Sequence, residues 1–277
     1  MATKEFKCKV CGYVHKGDKA PDKCPVCQAP ASEFEEIKKK GFDTNSNVYT
    51  IIYASIVVVV VAFLLAFVSG ALKAKQDENV ILDKKKQILS SLNVNIKECA
   101  DPAAKYAECV KGEWILNSDG DVVDSIGGFD INVSEENTKP IEERKLPVYV
   151  CEIDGAKKYV FPMRGAGLWG PIWGYISLDA DKSTVFGVYF SHESETPGLG
   201  AEITQPKFQN QFRDPENPKH ISRDGQFTSI AVVKPGNASE DADYVNGISG
   251  GTMTSQGVNA MLKQGLEQYV GFFNKED

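Results

Sequence analysis

The chain has 277 residues, a formal net charge of −7 and 42% hydrophobic residues. That length suits one mid-sized domain with small attachments rather than two large ones. The acidic balance offers no basic face to nucleic acid, which is not expected as a partner. The hydrophobic content excludes a disordered acidic chain.

Four of the seven cysteines crowd the first tenth of the sequence. A disulfide framework would spread its cysteines through the fold it staples. Here Cys8-Lys9-Val10-Cys11-Gly12-Tyr13 and Cys24-Pro25-Val26-Cys27 form two matched knuckles. A two-residue spacing lets both sulfurs of a knuckle converge on one metal, and Gly12 permits the tight turn this needs. Four thiolates in a tetrahedron suit zinc or iron. The expected ligands are Cys8, Cys11, Cys24 and Cys27.

A linker at 38–47 follows the module at 1–37. Residues 48–72 then form an uncharged stretch of roughly 25, more than the ~20 needed for a helix to cross a bilayer. Tyr49 and Tyr53 stand near one end, where amphipathic rings favour the interface. The folded-looking cysteine module ahead of it argues against a signal peptide. Lysines flank both ends, so charge does not orient the span. A free-thiolate module belongs in the reducing cytoplasm. This places the N-terminus inside the cytoplasmic membrane and the larger C-terminal part outside it.

Residues 73–145 read as a membrane-proximal helical and connecting region, with a helix at 75–92 carrying Val80, Ile81, Ile88, Leu89 and Leu92 near helical spacing. From 146 to 277 the pattern turns to strands. Val148–Ile153 and Lys158–Phe161 flank the hairpin signal Asp154-Gly155. Tyr175–Leu178, Val185–Phe190 and Phe227–Val233 follow, and a last helix is expected from about Ser255 to Tyr269. The outer domain is therefore α+β, a mostly antiparallel sheet with flanking helices. Cys99 and Cys109 are compatible with a disulfide or with two free thiols, and Cys151 belongs in a strand core.

The most informative stretch is Asn246-Gly247-Ile248-Ser249-Gly250-Gly251-Thr252-Met253-Thr254-Ser255-Gln256-Gly257-Val258. It is a hydroxyl-dense glycine loop running into a helix. Backbone N–H groups at a helix start favour a phosphate, and the hydroxyls of Thr252, Thr254 and Ser255 can reach such an anion or cap the helix. An ordinary capped helix would look the same.

Two resemblances add specificity. Residues 4–37, with Cys-Gly-Tyr, Asp18-Lys19-Ala20-Pro21 and Phe34, resemble the rubredoxin-like domain of rubrerythrins, which implies one redox-cycling iron. A structural zinc ribbon shares the same knuckles. The stretch around Thr252 resembles the flavinylation motif of the covalent-FMN subunit of the Na⁺-translocating NADH:quinone oxidoreductases. It is also similar to the corresponding subunit of Rnf-type ferredoxin:NAD⁺ complexes. Gly165–Tyr175, with Trp-Gly-Pro-Ile-Trp-Gly, and His192–Ile203, with Glu-Thr-Pro-Gly-Leu-Gly, are similar to two further motifs of the family, and the Trp-Gly-Pro-Ile-Trp-Gly wording with the long segment before it favours the sodium-pump subunit. That family usually has aspartate where Asn246 stands and alanine where Gly251 stands.

The resemblance implies FMN attached covalently, through its phosphate, to Thr252 by a separate flavin transferase. Ser249, Gly250, Thr254 and Ser255 would surround the phosphate. Leu168, Trp169, Gly170, Glu195, Thr196, Leu199 and Gly200 would surround the ring. Glu195 and His192 read as residues that hold their loop in shape, and no catalytic acid or base is assigned. The implied activity is that of an electron-transfer subunit of a Na⁺-translocating NADH:quinone reductase, with membrane lipid and other subunits as partners. One spanning helix without charges offers no ion path, so sodium would cross elsewhere. A non-redox binding protein with a zinc ribbon is the competing class.

Overall fold

The structure, a computed structural model, describes residues 4–37, 44 and 46–275. Most of the expected linker, including Lys38, Lys39 and Lys40, lies outside them. The chain divides into two compact units, Met1–Lys73 and Ala74–Asp277.

The first unit opens with a small antiparallel sheet. Strand β1 (Lys4–Cys8) lies between β2 (Val14–Gly17) and β3 (Phe34–Glu36). Helix α1 (Asn47–Ser91) then runs unbroken for 45 residues. The apolar span and the following helical segment, expected as separate elements, are thus one helix. No proline occurs in this range to remove a backbone donor, and its single glycine, Gly70, costs a helix interior only about 1 kcal/mol. Its most apolar 18-residue window has a mean hydropathy of 3.1 and no share of it is buried by protein. A helix so apolar on every side is a candidate membrane span.

The second unit is built on a six-stranded antiparallel sheet. After α2 (Pro102–Cys109) come β4 (Val110–Leu116), β5 (Val122–Asp124) and the short α3 (Val133–Glu136). Strands β6 (Leu146–Ile153), β7 (Ala156–Ala166), β8 (Pro171–Asp179) and β9 (Val185–His192) follow. The spatial order is β5-β4-β6-β7-β8-β9. The stretch before Leu146 therefore supplies two strands of this sheet as well as helices.

Both faces of the sheet are covered, which explains why β6 is buried over six consecutive residues rather than alternating. Val148, Val150, Tyr159, Phe161 and Met163 face one core. It is completed by Val258, Met261, Leu262 and Leu266 of α5 (Thr252–Glu267) and by Phe272 of α6 (Val270–Phe273). The intervening residues Tyr149, Cys151, Val160 and Tyr175 face a second core with Ile88 and Leu89 from the end of α1 and with Tyr106. Between β9 and α5 lie α4 (Pro206–Gln209), the hairpin of β10 (Ser222–Arg223) with β11 (Gln226–Phe227), and β12 (Ile230–Val233) paired in parallel with β13 (Asp243–Asn246). The expected single strand 227–233 is broken at Ser229, whose φ of 63° leaves the extended region.

Helix α1 ends in a Schellman motif. Asn93, at φ 60°, donates its N–H to the Ser90 carbonyl, and Val94 donates to Leu89. The Asn93 side chain then ties the helix end to β9, donating to the Phe186 carbonyl at 2.7 Å and accepting from Arg213 at 2.8 Å. All seven cysteines are free thiols, so Cys99 and Cys109 are not bridged, and Cys151 is buried in β6.

Candidate functional site

The four N-terminal sulfurs lie within 4.8 Å of one another. Cys8 and Cys27 Sγ are 3.7 Å apart, and Cys11 and Cys24 Sγ 3.4 Å. A tetrahedron of ~2.3 Å metal–sulfur bonds has edges of ~3.8 Å, so the donor set fits one metal ion. Each knuckle closes with an amide-to-carbonyl bond, Gly12 to Cys8 and Gln28 to Cys24, both 2.9 Å. The turn needs a left-handed residue after the second cysteine. Gly12 (φ 78°) serves in the first knuckle, and Gln28 (φ 61°) takes the same conformation without a glycine's freedom. Cys8 and Cys24 are buried, whereas Cys11 is exposed.

In the second unit, three loops meet at the start of α5. Helix α5 begins at Thr252, three residues earlier than the sequence pattern indicates, with Gly251 at its N-cap and no side-chain cap. Its first-turn amides therefore lack a side-chain acceptor, an arrangement that favours an anion. Thr252 itself is exposed. The loop ahead of it is fixed by backbone bonds from Gly247 to Val233 (2.7 Å) and from Gly251 to Ile248 (3.0 Å).

Glu195 holds the three loops together. Its side chain is buried, and Oε1 accepts the Trp169 amide at 2.8 Å while Oε2 accepts the Thr254 hydroxyl at 2.5 Å. Gly167 and Gly200 press against the two carboxylate oxygens, and a Cβ at either would collide with them. Burial raises the carboxyl's pKa. The Thr254 hydroxyl and the Trp169 and Leu168 amides outweigh that and hold it below the usual value. His192 Nδ1 accepts the Glu195 amide at 3.2 Å, so it too shapes the loop.

The resulting cavity, of about 140 Å³, is lined by Leu168, Trp169, Glu195, Thr196, Leu199, Gly200, Gly250, Thr252 and Thr254, together with Gly251 and Met253. Around it Leu168, Trp169, Leu199 and Met253 are exposed, with Trp169 at 66%. Three expected residues fall elsewhere. Ser255 is buried and its hydroxyl accepts the Ile248 amide at 2.9 Å. Gly170 closes the turn that carries Trp169, accepting from the Gly167 amide. Ser249 lines a neighbouring cleft with Asn246 and Lys207. The hydroxyl of Thr254 faces Glu195, so of the three hydroxyl residues at the start of α5 only Thr252 is exposed at the cavity, where Thr196 of the loop after β9 is exposed as well. Met253 and Gly251 were missed, because their contribution follows from where the helix starts.

This geometry is an exposed, uncapped threonine at a helix start, flanked by apolar rings. The FMN-binding domain family matches residues 167–267, which span it, and the rubredoxin-like domain of rubrerythrin matches residues 6–35. NqrC of the Na⁺-translocating NADH-quinone reductase from Pasteurella multocida is 32% identical over 218 residues, covering 71% of this chain and 81% of that protein. The chain belongs to the NqrC family. The Neisseria meningitidis serogroup B member is 28% identical over 255 residues, covering 85% of this chain and 96% of its own. The crystal structure of the family member from Parabacteroides distasonis superimposes with a TM-score of 0.68 at 45% identity, over 74% of this chain and 98% of that one. The Shewanella oneidensis member gives a TM-score of 0.58 at 27% identity, over 73% of this chain and 97% of that one. The expected α+β fold, with its rubredoxin-like domain and FMN-binding domain, is therefore borne out.

Replacing Glu195 by Gln is expected to destabilise the second unit by about 1–3 kcal/mol, because one donor then faces an NH₂ group. A carboxyl whose folded pKa is depressed adds stability that is complete above its unfolded pKa of ~4.3 and vanishes as pH falls through the lower folded value. Denaturant unfolding at neutral pH should separate wild type from Glu195→Gln. The gap should close under acid conditions below that window.

Proposed function

We propose that the chain is an electron-carrying subunit of a Na⁺-translocating NADH:quinone reductase, with FMN bound to Thr252 through a phosphoester. The observation that carries this reading is the placement of Thr252, an exposed hydroxyl on the first residue of an uncapped helix. A phosphate on its Oγ would lie against first-turn amides with the helix dipole in its favour. Leu168, Trp169, Leu199 and Met253 offer apolar surface to a flavin ring, and the 140 Å³ cavity is too small to enclose one, so the ring stays accessible to partners. The bound flavin supplies the redox chemistry, while Glu195, Gly167 and Gly200 keep its surroundings rigid. Attachment requires a flavin transferase acting in trans, and relay requires the other subunits of the complex.

The four-cysteine site of this reading carries iron. Its domain lies in the cytoplasm, and the FMN-binding domain lies outside the cytoplasmic membrane, where a tether prevents loss of the cofactor. A single apolar span in lipid joins them. With ~30 Å of hydrocarbon to cross, electrons do not pass directly between the two groups within one chain. The iron therefore serves a cytoplasmic donor or a neighbouring subunit.

Thr252→Ala is expected to retain the fold but to lose flavin fluorescence from its band on a denaturing gel. Fluorescence persisting in that band would move the attachment elsewhere. Protein purified from iron-replete cells is expected to be coloured and to carry about one iron per chain. A colourless protein holding only zinc would reduce the N-terminal domain to a structural role.

A further inference from the structure

The sheet of the second unit forks. Strands β6 and β7 pair from Ile153↔Ala156 to Tyr149↔Val160 and no further. Beyond that point Leu146–Val148 pair only with β4, and Phe161–Ala166 only with β8. Pro162 stands just past the last rung, where it has no N–H to continue the ladder. On the side of the sheet facing α1, this fork opens into a cleft of about 720 Å³, walled by α1 residues from Asn79 to Gln87 and by the segment Asp130–Ser134. Its size lies in the range of small-molecule sites.

Its floor has the features of a built site. Tyr149 and Tyr175 line it, 1% and 6% exposed, with ring centroids 6.5 Å apart. Neither hydroxyl has a hydrogen-bond partner among the described residues. Other buried tyrosines of this unit do: Tyr106 donates to Glu113 at 2.9 Å and Tyr269 to the Pro147 carbonyl at 3.0 Å. Among the described residues only Ser229 Oγ is sealed from solvent without a partner, so the two phenol oxygens reach the cleft rather than being walled in. Two phenol donors without a protein partner thus stand side by side at the floor of one cleft, free to bond a ligand that enters it. Burial pushes both phenols above their usual pKa, so both remain protonated donors.

The walls narrow the chemistry. Trp173 donates its Nε1 to Gln87 at 3.1 Å, which pins its ring. The Arg164 guanidinium lies 5.9 Å from that ring and has no carboxylate partner among the described residues. The lining carries two cations, Lys84 and Arg164, against three carboxylates, Asp83, Asp130 and Glu193. Lys84 already donates to the Phe129 carbonyl. This excess of one carboxylate disfavours an anion. What fits is flat and neutral, with acceptor oxygens for the two phenols and Arg164.

We propose that this cleft binds a neutral, planar ring bearing carbonyl oxygens, the chemistry shared by a quinone head and a free flavin ring. The site is separate from Thr252 and does not depend on the tethered cofactor. Along β7 it begins three residues before Gly167, roughly 10 Å from the flavin loop.

The test is calorimetric titration of the purified full chain in detergent with menadione and, separately, with lumiflavin. Saturable one-to-one binding of at least one probe is expected. Menadione alone would identify the quinone head as the ligand class, and lumiflavin alone the flavin ring. Tyr175→Phe and Arg164→Ala should each weaken binding about fivefold, the effect of one net hydrogen bond, with unchanged circular dichroism. Thr252→Ala should bind as wild type, which separates this site from the flavin reading. The proposal is overturned if neither probe saturates, if Tyr175→Phe and Arg164→Ala bind as wild type, or if Thr252→Ala abolishes binding.

Discussion

The buried carboxylate of Glu195 is the contact on which the cavity at the start of α5 rests. It bonds the Trp169 amide and the Thr254 hydroxyl at once, and so joins the β7–β8 turn, the loop after β9 and the first turn of α5. These segments are separated in sequence, and one carboxylate ties them together. The two glycines against the carboxylate explain why the motifs are glycine-rich at Gly167 and Gly200: there is no room for a Cβ. A charged group this buried is tolerable only because its oxygens are bonded.

The sheet supplies the frame for that contact. Because its two faces are both covered, α5 and the end of α1 are held on opposite sides of the same strands. Asn93 closes α1 and bonds both Phe186 and Arg213, so the helix that emerges from the apolar span is fixed to β9 by directional contacts as well as packing. At the fork between β6 and β7 the ladder lapses where Pro147 and Pro162 would face each other, neither with an N–H to donate.

Much of this was legible in the sequence. The cysteine spacing gave the metal site, and the apolar run from Val48 to Leu72 gave the candidate span. The Gly/Thr loop marked the approach to a helix start. What escaped was the division of labour among chemically similar groups. Thr252, Thr254 and Ser255 all read as phosphate partners, yet in three dimensions Thr254 faces Glu195 and Ser255 holds the Ile248 amide. A hydroxyl's partner depends on helix phase, and α5 begins three residues earlier than its apolar periodicity indicates, because three of the first four residues, Thr252, Thr254 and Ser255, carry hydroxyls. The unbroken α1 was hidden for the opposite reason: a change from apolar to charged composition resembles a boundary, although no residue there breaks a helix. The left-handed Gln28 and the fork at Pro162 likewise depend on neighbours that a single sequence does not show.

The central claim is that Thr252 carries the flavin while the hydroxyls beside it serve the fold. The most direct measurement is peptide mapping by mass spectrometry of the protein purified from its native host. The account predicts FMN, less one water, on the peptide spanning Thr252, with fragmentation placing it on that residue. An unmodified peptide in a host that flavinylates other proteins, or an adduct on Ser249, Thr254 or Ser255, would contradict it.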